Sequence, residues 1–214
     1  MEFKGYYNYF KTVMKHKIAV FKVCKMFGIT WRGIVHDLSK FSPSEFIPYA
    51  KYFNIDKNKL SKEEKNKLEN DFEVAWLHHK GCNKHHHLFW INWSDNDNSP
   101  YAINIPLKYV YEMIADWIGA GMTYNSNWNE SEPYEYYKNN LRESKCFDYF
   151  EYRTKAIIDT ILVDIKNHGL DVVGNMIQCG FYENFYCTEI SEWNSDYCKL
   201  VNEYYGGNSV EEEK

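Results

Sequence analysis

Between residues 4 and 27 the apolar side chains Tyr6, Tyr9, Phe10, Val13, Val20, Val23 and Phe27 recur at spacings of three, four and seven. This rhythm predicts an amphipathic helix, stopped by Gly28. His16 lies on the same stripe, three residues after Val13 and four before Val20. Thr30 opens a second predicted helix, which carries the adjacent pair His36-Asp37. Ser42-Pro43-Ser44-Glu45 has the pattern of a capping box with proline at the first helical position, so a third helix is expected from there towards Phe53. Ser61 and Glu64 form a similar box at the head of a long helix ending near Lys80, with Leu68, Phe72, Ala75 and Trp76 on its apolar face. His79 continues that face and His78 points off it.

Residues 92–100, NWSDNDNSP, are rich in turn formers and read as a flexible loop. A helix from about Pro106 to Gly119 holds Glu112 and Asp116 four residues apart, on one face. Further helices are expected near 133–142 and 147–168. From 169 to 205 the patterning weakens, although Leu170–Met176 and Trp193–Tyr204 suit helices, and the ending GGNSVEEEK reads as disordered. No internal repeat and no alternating strand is visible. The fold class expected is all-α: a helical domain over 1–168, an extension over 169–205 packed on it, and an acidic tail over 206–214.

Composition narrows the function. Of 214 residues, 44% are hydrophobic and 18% aromatic, enough to bury one sizeable core. A net charge of -5 argues against a general binder of long nucleic acid, which carries a basic face, but leaves room for a small anionic substrate held by local cations. The six cysteines include no CxxC pair and read as free thiols in a reducing compartment. No stretch approaches a membrane span, and the charged N-terminus does not read as a signal peptide; a cytoplasmic protein is expected.

Seven of the eight histidines fall between positions 16 and 87. His16, His79 and Asp116 lie on the buried stripes of three predicted helices or one position beside them, and His36-Asp37 on a fourth. Buried charge is costly unless paired or bound to a metal, so several inward polar groups in one small helical domain point to a common polar centre. Imidazole with carboxylate suits a divalent transition metal.

The order His16 … His36-Asp37 … Asp116, with the wording HDLSK, resembles the HD-domain superfamily of metal-dependent phosphohydrolases. The phrases HDLSKFSPSEF, AWLHHKGCNKHHHLFW and EMIADW look more closely like an uncharacterised bacterial and phage family that is HD-like. The resemblance spans about residues 6 to 165. It implies an HD-domain-like helical bundle in which His16, His36, Asp37 and Asp116 ligate one metal ion (Mn, Fe, Co, Ni or Zn, with Mg a further candidate). Asp37 would bridge to a second ion held by His79 and by His85 or His86, although His79 and His86 stand closer together than the family's pattern suggests. Lys40 matches its phosphate-facing lysine. Glu112 and Glu45 have no firm counterpart in the family; a carboxylate or histidine near the leaving oxygen would serve as general acid, with Glu112 and His79 as the candidates.

The chemistry implied is hydrolysis by metal-activated water of a small phosphorylated molecule such as a nucleotide, as mono- or diester. Two rivals stand beside it: a diiron oxygenase on the same scaffold, and a non-enzymatic binding or regulatory module whose metal is structural. Simpler readings apply to individual residues. His78 and His87 suit solvent, His168 suits a helix C-terminus, and Lys40 can be a last-turn cation. Trp90 and Trp93 are candidates for a pocket mouth.

Overall fold

The computed structural model describes residues 3–183, apart from 143 and 145–147. The expected helix over Trp193–Tyr204 and the expected disorder of 206–214 lie outside the described residues. The architecture is all-α, with one small two-stranded sheet. Helix α1 runs Phe3–Met26 and ends in a Schellman turn. There Gly28 takes φ +72°, its N–H donates to the Lys25 carbonyl at 3.2 Å, and the Ile29 N–H donates to the Cys24 carbonyl at 2.9 Å. Helices α2 (Thr30–Val35), α3 (Pro43–Asn54), α4 (Lys62–Cys82) and α5 (Leu107–Tyr124) follow. Then come α6 (Glu132–Tyr136), which runs into a π-helical turn at Tyr137–Arg142, α7 (Tyr152–His168) and α8 (Leu170–Gln178).

Two apolar clusters organise these elements. The larger joins the second half of α1 (Val20, Val23) to α5, α7 and α8. Leu170, Val173 and Met176 of α8 belong to it, so α8 forms part of that core. The smaller cluster joins Tyr9 and Val13 of α1 to Tyr49 and Ala50 of α3 and Ala75 of α4. His16 sits on α1 between the two, and the polar centre forms at that junction. Close approach of α1 and α5 needs Gly119, where an added Cβ would stand 2.5 Å from Val20 Cγ2.

Three local expectations are corrected. The segment taken for a loop is a hairpin, β1 (Ile91–Ser94) with β2 (Ser99–Ala102), in antiparallel register Ile91↔Ala102 and Ser94↔Ser99. The turn residues 95–98 were legible, with Asn98 at φ +51° and the Asp97 carboxylate accepting from Ser94 and Ser99. The strands were not legible because their central residues are exposed on both faces and show no alternation. Secondly, α2 stops at Val35, before His36-Asp37. Thirdly, α3 begins at Pro43 as expected, but Ser42 makes no side-chain cap; Glu45 turns inward instead. At α4 the expected box is present: Ser61 Oγ accepts from Glu64 N–H at 3.2 Å, and Glu64 Oε2 accepts from Ser61 N–H at 2.8 Å.

No helix among the described residues is long and apolar enough to cross a membrane. Cys24, Cys82 and Cys179 are free thiols.

Candidate metal centre

The end of α2 explains how adjacent residues serve one site. Successive side chains on a helix point about 100° apart, so a continuous helix could not turn both His36 and Asp37 onto one centre. The chain leaves the helix at His36 (ψ 129°), and Asp37 takes the left-handed region at φ +53°. Asp is among the few residues that tolerate that region. A 3-10 turn, Leu38–Phe41, follows; side chains three apart eclipse in such a turn, and Lys40 Nζ lies 2.6 Å from Asp37 Oδ2.

The two oxygens of Asp37 face two sets of imidazoles. Oδ2 lies 3.4 Å from His36 Nε2 and 4.0 Å from His16 Nε2, while Asp116 Oδ1 lies 2.9 Å from His16 Nε2 and 3.4 Å from His36 Nε2. Oδ1 lies 3.4 Å from Nε2 of both His79 and His85. His16, His36, Asp37 and Asp116 offer ligand atoms all within 4.8 Å of one another, and so do Asp37, His79, His85 and His86. The sequence-derived set is therefore brought together complete, with His85 and His86 both included. The short interval from His79 to His86 is no obstacle. The chain reverses directly after α4, where the His86 N–H donates to the Asn83 carbonyl at 3.1 Å, and the rings of His79 and His86 come to 4.8 Å.

Two buried carboxylates outside the ligand set orient these rings. Glu112 Oε1 lies 3.1 Å from His36 Nδ1 and 3.3 Å from His85 Nδ1, and its Oε2 accepts from Arg32 Nε at 2.7 Å. Glu45 Oε2 lies 2.9 Å from His79 Nδ1 and accepts from Ser39 Oγ at 3.0 Å; its Oε1 lies 2.7 Å from Nδ1 of half-exposed His78. A carboxylate facing Nδ1 favours the tautomer protonated there and leaves the Nε2 lone pair free. Nε2 of His36, His79 and His85 is the atom that faces Asp37.

Burial alone would lower the pKa of His36, but Asp37, Asp116 and Glu112 outweigh it and raise the group to about 9, so a metal ion at Nε2 would have to displace a proton held there at neutral pH. Burial opposes ionisation of Asp37 and Asp116, yet histidines around both, with Lys40 beside Asp37, hold them well below the usual carboxylate range. Against burial, the hydrogen bond with His36, the neighbouring His85 and the hydrogen bond from Arg32 draw Glu112 down to about 2. His86 is pushed down to about 2, by burial first and by neighbouring His85 second, so its imidazole is neutral and available as a ligand.

The donors fit a metal ion. Nε2 of His36, His85 and His86 and Oδ1 of Asp37 are buried and make no hydrogen bond, an arrangement that is costly unless a cation satisfies it. The buried histidine and aspartate groups could hold a metal ion.

A cavity of about 220 Å³ borders the centre, walled by Tyr9, Tyr49, Trp76 and Tyr124, with His16 and Lys40 among its lining residues. Tyr49 Oη, in that wall, is buried without a hydrogen bond. Trp90 and Trp93 do not line it: Trp90 packs against Tyr109, and Trp93 is exposed on the hairpin. His87 stacks on Phe150, with ring centroids 4.4 Å apart, and burial lowers it to about 4.

Glu45, Ser39, Asn83 and Arg32 were absent from the sequence-derived site. Glu45 was hidden by its resemblance to a helix cap. Arg32 carries no local signal, because its partner Glu112 lies 80 residues away; Asn83 Nδ2 joins the His79 carbonyl four residues back to Ser39 Oγ, 44 residues away. Among curated proteins and solved structures, none matches this chain. Residues 5–164 match the family of unknown function DUF5662, and the chain belongs to that family.

Proposed function

We propose that the protein is an HD-like metal-dependent phosphohydrolase acting on a small phosphorylated molecule such as a nucleotide. The observation that carries the reading is the two-sided environment of Asp37, with Lys40 against one oxygen and an aromatic cavity alongside. In this reading His16, His36, Asp37 and Asp116 hold one ion from the series Mn, Fe, Co, Ni and Zn, or Mg. Asp37, His79, His85 and His86 hold a second. A bound ion supplies Lewis acidity that makes water nucleophilic near neutral pH and offsets phosphate charge.

The remaining roles belong to the chain itself. Lys40, one-fifth exposed and lining the cavity, binds a non-bridging phosphoryl oxygen as a compact cation. Tyr49 Oη offers a hydrogen bond to a polar atom of the substrate, whose flat or apolar part packs on Tyr9 and Trp76. Glu112 stays ionised down to about pH 2 and has no proton to give at neutral pH, so it orients His36 and His85 instead of acting as general acid. His79, with Nδ1 on Glu45 and Nε2 facing Asp37, is placed as a ligand by that geometry.

The second histidine set also suits a diiron oxygenase, the rival on this scaffold. One screen separates them. The full chain is loaded with Mn²⁺, Co²⁺, Ni²⁺ or Fe²⁺ and offered nucleotides and phosphate esters. Phosphate release that Asp37→Ala abolishes supports the proposal. Iron-dependent oxygen uptake without phosphate release supports the rival.

A further inference from the structure

A second cavity, of about 390 Å³, lies at the C-terminal end of α5. Trp117, Tyr124, Trp128 and Tyr136 contribute its aromatic walls, and Glu132 is its carboxylate. Two polar atoms there are out of balance. Glu132 Oε2 and Trp128 Nε1 are each shielded from water, and neither makes a hydrogen bond. Among the described residues, no lysine or arginine lines the cavity. Shielding a carboxylate oxygen from water without a donor or cation is costly, so the arrangement is one that a ligand completes.

The backbone adds to the same sign. Ala120, Gly121, Tyr124 and Asn125 line the cavity from the last turn of the 18-residue helix α5 and its cap. The C-terminal end of a helix carries partial negative charge. That last turn holds no basic residue, although Lys15 Nζ reaches in from α1 to the Thr123 carbonyl at 2.8 Å. The Trp128 ring is seated directly on the helix: a Cβ added at Gly121 would stand 2.6 Å from its Cδ1. Aromatic faces, a carboxylate and a helix C-terminus all favour a cation, and a cavity walled by several aromatic rings favours a weakly hydrated one.

We propose that this cavity binds a small methylated ammonium compound carrying an oxygen. The ammonium packs among the aromatic faces beside Glu132, and the oxygen accepts from Trp128 Nε1. Tyr124 walls this cavity and the one bordering the metal centre, so the two sites share a side chain. The inference stands apart from the phosphohydrolase reading and needs no turnover to be tested.

Choline and its neutral isostere 3,3-dimethylbutanol are titrated into the full chain by calorimetry, and into Glu132→Gln and Trp128→Phe. The proposal expects saturable choline binding, about tenfold weaker binding of the isostere, and about tenfold loss in Glu132→Gln at an unchanged melting temperature. It expects Trp128→Phe to weaken choline more than tetramethylammonium, which lacks the oxygen. Equal binding of choline and the isostere would reduce the site to a plain apolar cavity and overturn the proposal. So would the absence of saturable choline binding to the unsubstituted chain, a comparison that depends on no variant folding.

Discussion

His36 Nδ1 and Glu112 Oε1 lie 3.1 Å apart, joining the broken end of α2 to the middle of α5. Because Glu112 also meets His85 and Arg32, one carboxylate from α5 fixes a ring in each proposed ligand group. Glu112→Gln should lower metal affinity by roughly 10- to 100-fold without removing any ligand, as loss of an orienting partner does elsewhere. Competition with a fluorescent chelator measures this; unchanged affinity would show that Glu112 does not orient the rings.

Glu112 also predicts a dependence of stability on pH. The unfolded chain takes up this proton near pH 4.5, whereas the folded protein holds it off until about 2. Folded stability from this group is therefore fully present above pH 4.5 and is lost as the pH falls from there towards 2. At about 1.4 kcal/mol per pH unit the loss amounts to roughly 3 to 4 kcal/mol. Urea unfolding of chelator-treated protein between pH 2 and 7 should show that slope, and Glu112→Gln should flatten it.

Glu45 serves His79 alone among the proposed ligands, so its removal should discriminate between the two groups. Glu45→Ala is expected to release the ion associated with His79, His85 and His86 while the ion at His16, His36 and Asp116 stays. Metal counting before and after dialysis reads this as a fall from two ions to one. Loss of both ions together would mean that the centre is a single unit.

Lys40 separates substrate binding from metal binding. Its ammonium stands 2.6 Å from Asp37 Oδ2, where it competes with any cation for that oxygen. Lys40→Ala should therefore leave metal affinity equal or higher, and weaken inorganic phosphate binding by about tenfold, the loss of one charge-assisted contact. Equal phosphate affinity would remove Lys40 from substrate binding.

Much of the fold was legible because apolar stripes determine helices. α1, α4 and α5 lie close to where periodicity put them, and His16, His79 and Asp116 mark polar positions on or beside buried faces. What was not legible depends on tertiary partners. The break at His36-Asp37 breaks no propensity rule and shows only as a left-handed Asp37. Glu45 fits a capping box in sequence, but the buried pull of His79 outcompetes the backbone amide. The hairpin at 91–102 has no buried face to impose alternation. At the centre itself, residue types and order were sufficient to choose the ligand candidates, whereas their orienting carboxylates emerged only from the packing of α3 and α5 against them.

The central claim is that Asp37 joins two groups of histidines around metal. Elemental analysis of the full chain as purified, beside Asp37→Ala, tests it most directly, with circular dichroism to confirm that the variant remains helical. The account predicts two equivalents of a divalent transition metal in the unsubstituted protein and loss of both ions in a folded Asp37→Ala. A folded Asp37→Ala with full metal content, or an unsubstituted protein that takes up no metal even after reconstitution, would contradict it.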